Sequence, residues 1–137
     1  MTRITFRILS LAFLWAVSGA SGAERVWTGG GGDALWSNPA NWTSGTPAAG
    51  DTLVFGASAV KDVTNNLSAG TAFAGLSFPA GSGGTYTLNG NAITLEGDIA
   101  TFSGYTPEIA LPLILGTDCQ CLGSNGTLAI SGAISGP

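Results

Sequence analysis

From residue 51 onward, apolar residues fall at alternate positions in short runs, each closed by Gly, Asn or Ser. Leu53 and Phe55 share one side of such a run, as do Leu76 and Phe78, and Tyr86 and Leu88. Ile93 and Leu95 follow, and their parity continues through Gly97 to Ile99. Ile109, Leu111, Leu113 and Leu115 form the longest alternation, and Pro112 inside it predicts a sheet edge or a bulge. Leu128, Ile130 and Ile134 close the chain. A period of two places one side of each strand in a core and the other in solvent. Apolar residues do not recur at three and four, and glycine interrupts nearly every window, so no helix is expected beyond the first residues. The pattern predicts an all-β chain.

The strands also repeat. Ile93-Thr-Leu95-Glu-Gly97-Asp-Ile99 matches Leu128-Ala-Ile130-Ser-Gly132-Ala-Ile134, apolar on apolar and Gly on Gly, with Asn89-Gly90 and Asn125-Gly126 ahead of each. Strand-turn units repeating without helices are the signature of a β-solenoid. The competing architecture is a β-sandwich, since Asn-Gly is also a strong hairpin signal. The repeat and turn pattern favours the solenoid, over residues 51–137. Residues 24–50 read differently. They hold Trp27, Trp36 and Trp42 in a Gly-rich setting that cannot bury so much indole by itself. The first coil of a solenoid exposes an apolar end and unpaired edges, and this segment is expected to cap it.

The run Trp27-Thr-Gly-Gly-Gly-Gly-Asp33-Ala-Leu-Trp36-Ser-Asn-Pro-Ala-Asn41-Trp42, then Pro47 and Gly50-Asp51-Thr-Leu-Val-Phe55, resembles the start of autotransporter-associated β-strand repeat proteins. Asn91–Gly97 and Leu128–Gly136 look like that family's repeat strands. The resemblance implies a right-handed parallel β-helix on a bacterial surface protein, with no catalytic residues to carry over. It also implies a C-terminal barrel or sorting signal. Neither is found before Pro137, so the sequence reads as a truncated, N-terminal portion.

Residues 1–23 read as a secretory leader. Arg3 and Arg7 precede the apolar run Ile8–Val17, and small residues fill Ser18–Ala23. The apolar run is too short to span a bilayer, which takes about 20 residues. Ser21 and Ala23 suit the positions three and one before a cut, so cleavage after Ala23 is expected. Beyond it only Arg25 and Lys61 face eight acids, a balance that disfavours nucleic acid as a partner, and no later segment is apolar enough to cross a membrane. The 22 glycines could suggest a linker, but the ordered alternation argues for a packed sheet.

Candidate chemistry is sparse. The chain has no His, which removes imidazole-based triads and His zinc sites. Glu96 and Asp98 fall on one side of a strand, opposite Leu95 and Ile99, and read as a solvated face that discourages edge pairing. Gly29–Asp33 is a single, imperfect copy of a glycine-aspartate calcium turn whose sites need tandem copies. Cys119 and Cys121 keep the parity of Leu113 and Leu115 and read as core thiols, with a strained or intermolecular disulfide as the alternative. Trp27, Trp36 and Trp42 could form a stacking platform for sugars, although burial as a cap fits large aromatics better. No cofactor is expected. The sequence therefore predicts an exported, non-catalytic structural or adhesive segment, able to meet surface glycans or to self-associate through its C-terminal edge. Two alternatives are a carbohydrate-binding module and a remnant of a polysaccharide-active β-helix.

Overall fold

The computed structural model describes residues 22–81, 84–124 and 126–137. The expected leader falls outside them, apart from Gly22 and Ala23, as do Ser82, Gly83 and Asn125 of the expected turns. The chain winds as a parallel β-solenoid of three sheets. The first full coil contains β2 (Thr52–Phe55), β3 (Asp62–Asn65) and β4 (Thr71–Phe73). The second contains β5 (Gly75–Phe78), β6 (Thr87–Gly90) and β7 (Ile93–Leu95). The third contains β8 (Ile99–Phe102), β9 (Glu108–Ile109) and β10 (Leu113–Leu115). The fourth contains β11 (Cys121–Ser124), β12 (Ala129–Ile130) and β13 (Ile134–Ser135). A leading strand, β1 (Glu24–Trp27), pairs in parallel with β2. The first sheet thus runs β1-β2-β5-β8-β11, the second β3-β6-β9-β12 and the third β4-β7-β10-β13. Every strand pair is parallel, so the sandwich alternative does not hold.

Register explains the core. Leu53, Leu76 and Ile99 stack in the first sheet, Val63, Leu88, Ile109 and Ile130 in the second, and Phe73, Leu95 and Leu115 in the third. Each inward residue lies on its equivalent one coil away, at the strand spacing of about 4.8 Å. All three columns are buried through the third coil except at Leu115, which is half-buried.

Two sequence expectations change. The alternation Ile109–Leu115 is not one strand: it turns a corner from β9 in the second sheet to β10 in the third. Pro112 sits at that corner, where its missing N–H costs nothing and its carbonyl accepts from the Ile93 N–H at 3.1 Å. Asn89-Gly90 likewise ends β6 at a corner and makes no hairpin. The two matching heptads are also out of register. Ile93 and Leu95 belong to the third sheet, whereas Leu128 precedes and Ile130 lies on β12 of the second, and Ile134 lies over Leu113. The similarity is that of a strand followed by a tight glycine corner, a unit every face of the triangle uses.

The corners are fixed by close backbone approach and by side-chain amides. Asn65, buried at one corner, donates from Nδ2 to Asn91 O at 2.8 Å and accepts at Oδ1 from the Leu67 N–H at 3.0 Å. Asn91 returns the bond, Nδ2 to Leu67 O at 2.7 Å. Neighbouring coils are thus tied where the ladder is interrupted.

Candidate functional site

The segment from Thr28 to Gly50 builds an irregular opening turn that closes the stack. It reaches the outer edge of all three first strands. Thr43 N–H donates to Val26 O of β1 at 2.9 Å, Thr64 N–H of β3 donates to Ala34 O at 2.9 Å, and Gly50 N–H donates to Ala72 O of β4 at 2.9 Å. The far end differs: no strand lies beyond β11, β12 or β13 among the described residues.

The three tryptophans sit beneath this turn. Trp36 is fully buried, and Trp27 and Trp42 nearly so. Trp42 meets Trp27 edge-on at 5.0 Å and Trp36 at 5.9 Å, and all three contact Phe55. From Phe55 the aromatic column continues down the axis to Phe78 at 5.4 Å, Tyr86 at 5.4 Å and then Tyr105. Trp27 Nε1 donates to Val60 O at 2.9 Å and Trp42 Nε1 to Trp36 O at 2.9 Å, while Trp36 Nε1 is buried with no acceptor. With their faces packed inward, the indoles offer no stacking platform to a sugar ring. They are the lid of the core.

The glycine-aspartate loop is bound to itself. Asp33 accepts from the Leu35 N–H at 3.0 Å, from Asn41 Nδ2 at 2.8 Å and from Asn38 Nδ2 at 3.0 Å. Asn41, fully buried, completes the knot: its Nδ2 also donates to Leu35 O at 3.0 Å and its Oδ1 accepts from the Gly31 N–H at 2.7 Å. Asn38 caps the short 3-10 turn Pro39–Asn41 through the Ala40 N–H. The Leu35 N–H and the Asn38 amide, with Asn41 adding to them against a partial desolvation, hold the Asp33 carboxyl below its ordinary range. Its oxygens are thus committed to amide donors. Among the described residues no group of three or more His, Cys, Asp or Glu converges.

Asp51 is a second anchor, one that its setting in a polar turn did not reveal. It is nearly buried where the opening turn meets β2. Its carboxylate pairs with Arg25 Nε at 2.7 Å and accepts from the Ala48 N–H at 2.9 Å and the Ala23 N–H at 2.8 Å. Arg25 also donates to Ser44 O. Burial pushes the Asp51 carboxyl up, but the Ala48, Arg25 and Ala23 bonds and the Arg25 charge outweigh it and hold it below the ordinary range.

The remaining candidates are dispersed. Glu96 and Asp98 are exposed, as expected, but stand at the corner between β7 and β8 instead of along a strand. Asp98 accepts from the Gln120 N–H at 2.9 Å and so ties the third coil to the fourth. Both cysteines are free. Cys119 is half-buried, its Sγ 3.5 Å from Leu95 O. Cys121 is not a core thiol: it lies over Ile99 on the last rung of the first sheet and is exposed there. Cys119, with Leu115, Thr117, Asp118 and Pro137, lines an open groove. No described helix is long and apolar enough to cross a membrane.

No family model, curated protein or solved structure matches this chain.

Proposed function

We propose that this chain is an exported structural segment, a stiff passenger-like β-solenoid of a bacterial surface protein that acts by display and adhesion and not by catalysis. The observation that carries this reading is where its chemistry-bearing side chains are spent. Asp33, Asn41, Asp51 and Asn65 each bind backbone amides or carbonyls that hold turns together. The aromatic residues fill the axis. The leader-like start and the resemblance of Trp27–Phe55 to autotransporter-associated β-strand repeat proteins support export and that family. The uncharged run Cys119–Pro137 and its bare rung support contact with a second copy.

Intact producing cells labelled with an antibody against the solenoid test the reading. Surface labelling that is lost when residues 1–20 are deleted is the expected result. A chain found only inside the cell would overturn it, as would turnover of a polysaccharide by the purified protein.

A further inference from the structure

Residues 18–23 read Ser-Gly-Ala-Ser-Gly-Ala, so the small-residue signal for leader removal occurs twice. Ser18 and Ala20 place a cut at the Ala20–Ser21 bond, and Ser21 and Ala23 place one at the Ala23–Glu24 bond. Sequence alone does not separate them, and the nearer match to β1 was the expected one. The fold separates them. Ala23 belongs to the first rung: its N–H donates to Asp51 Oδ1 at 2.8 Å, and its carbonyl accepts from the Thr52 N–H at 2.9 Å. Gly22 is pressed against the chain before β2. A Cβ there would stand 1.8 Å from Gly50 O and 2.2 Å from Gly50 C, so only glycine fits. A cut after Ala23 would discard both residues and strip the nearly buried Asp51 of one of its three donors.

We infer that the leader is removed at the Ala20–Ser21 bond, so that the mature chain keeps Gly22 and Ala23 and starts at Ser21. The inference rests on the exported reading above. The reaction is a hydrolysis by the exporting cell's leader peptidase. One water is consumed, the amide C–N bond between Ala20 and Ser21 breaks, Ala20 gains the carboxyl group and Ser21 leaves with the amino group. Gly22 and Ala23 then serve the fold, leading into β1. This bond also leaves three residues between the cut and β1, room for the peptidase to hold an extended substrate.

The full chain, expressed in a bacterial host and recovered outside the cytoplasm, is read by intact mass and N-terminal sequencing. A chain starting at Ser21 is expected, and one starting at Glu24 would overturn the inference. A chain found only in the cytoplasm and still starting at Met1 would instead sink the exported reading, and an exported chain that keeps Met1 would overturn the inference alone. Two variants sharpen the test. Ala20→Phe blocks removal at the expected bond, whereas Ala23→Phe, whose side chain faces solvent, leaves processing unchanged; the reverse pattern contradicts the inference. Chains made to begin at Ser21 and at Glu24 are then compared by thermal melting. The longer one melts higher by at least about 4 °C, the shift for loss of one net hydrogen bond in a domain near this size. Equal melting would remove the structural reason for the site.

Discussion

Trp36 and Trp42 touch edge-on in the lid, yet their indole nitrogens are treated differently. Trp42 Nε1 donates to the Trp36 carbonyl, whereas Trp36 Nε1 is buried without an acceptor. Replacing Trp42 by Phe leaves a buried carbonyl without its donor, while replacing Trp36 by Phe removes an N–H that was already unpaired. In urea unfolding, Trp42→Phe should therefore cost more than Trp36→Phe, and Trp36→Ala should cost about 3–5 kcal/mol through the cavity it opens. Ionisation gives a second residue-level test. Asp51 and Asp33 are held below the ordinary carboxyl value of 3.8 in the folded chain, so they bind fewer protons there than in the unfolded chain. Their contribution is present above that value and is lost as pH falls through their folded pKa values. Acid unfolding followed by tryptophan fluorescence should show stability dropping below about pH 3.8, and Asp51→Asn should flatten the drop. At the alkaline end, burial and then the neighbouring Tyr105 raise the Tyr86 phenol to about 12. Its phenolate absorbance should lag that of a free tyrosine, and stability should decline from about pH 10 until the phenol ionises. The burial of the indoles was legible because nothing else in a Gly-rich segment can house them. Asp51 and Asn41 were not, because a short polar residue in a turn looks alike whether it faces water or ties down backbone.

Strands and corners differ in how openly the sequence declares them. Leu53 with Phe55, Leu76 with Phe78, and Ile93 with Leu95 were readable, since each pair of large apolar residues brackets one outward position. β3 and β4 were not, because Asp62–Asn65 and Thr71–Phe73 each bring only one large apolar side chain to the core. Corners hid for the opposite reason. Ile109–Leu115 keeps its parity through the bend at Pro112, so an unbroken alternation conceals a change of sheet. The corner glycines state the geometry more directly. A Cβ at Gly97 would stand 2.0 Å from Ala74 O of the previous coil, whereas one at Gly56 meets nothing within 4 Å. Gly97→Ala should lose at least about 2 kcal/mol by chemical denaturation, because the obstacle is backbone with no rotamer to change, and Gly56→Ala should be near neutral.

At the scale of the whole molecule the stack has two unlike ends. One is closed on every sheet by the opening turn. The other, among the described residues, is the bare rung of β11, β12 and β13, with Leu122 and Ile134 exposed and no charged side chain from Cys119 to Pro137 to repel a neighbour. If two copies meet at this rung, as proposed, only the same end of the second stack offers a matching edge. Light scattering under reducing conditions should give twice the mass of the chain, with no growth at higher concentration. Leu122→Lys combined with Ile134→Lys should return a monomer, while Leu35→Lys at the lidded end should leave the pair intact. The class of architecture was legible, because repetition without helices leaves few other solutions. The unlike ends were legible only in part, since the sequence marks the lid by its indoles but does not reveal that it engages all three sheets.

The placement of that lid at the start of the chain sets an order of assembly. In a chain exported leader first, as proposed, the aromatic plug emerges ahead of the coils, so each later winding can settle on a surface already built. Construction can proceed one storey at a time, and only the newest storey is ever without a roof.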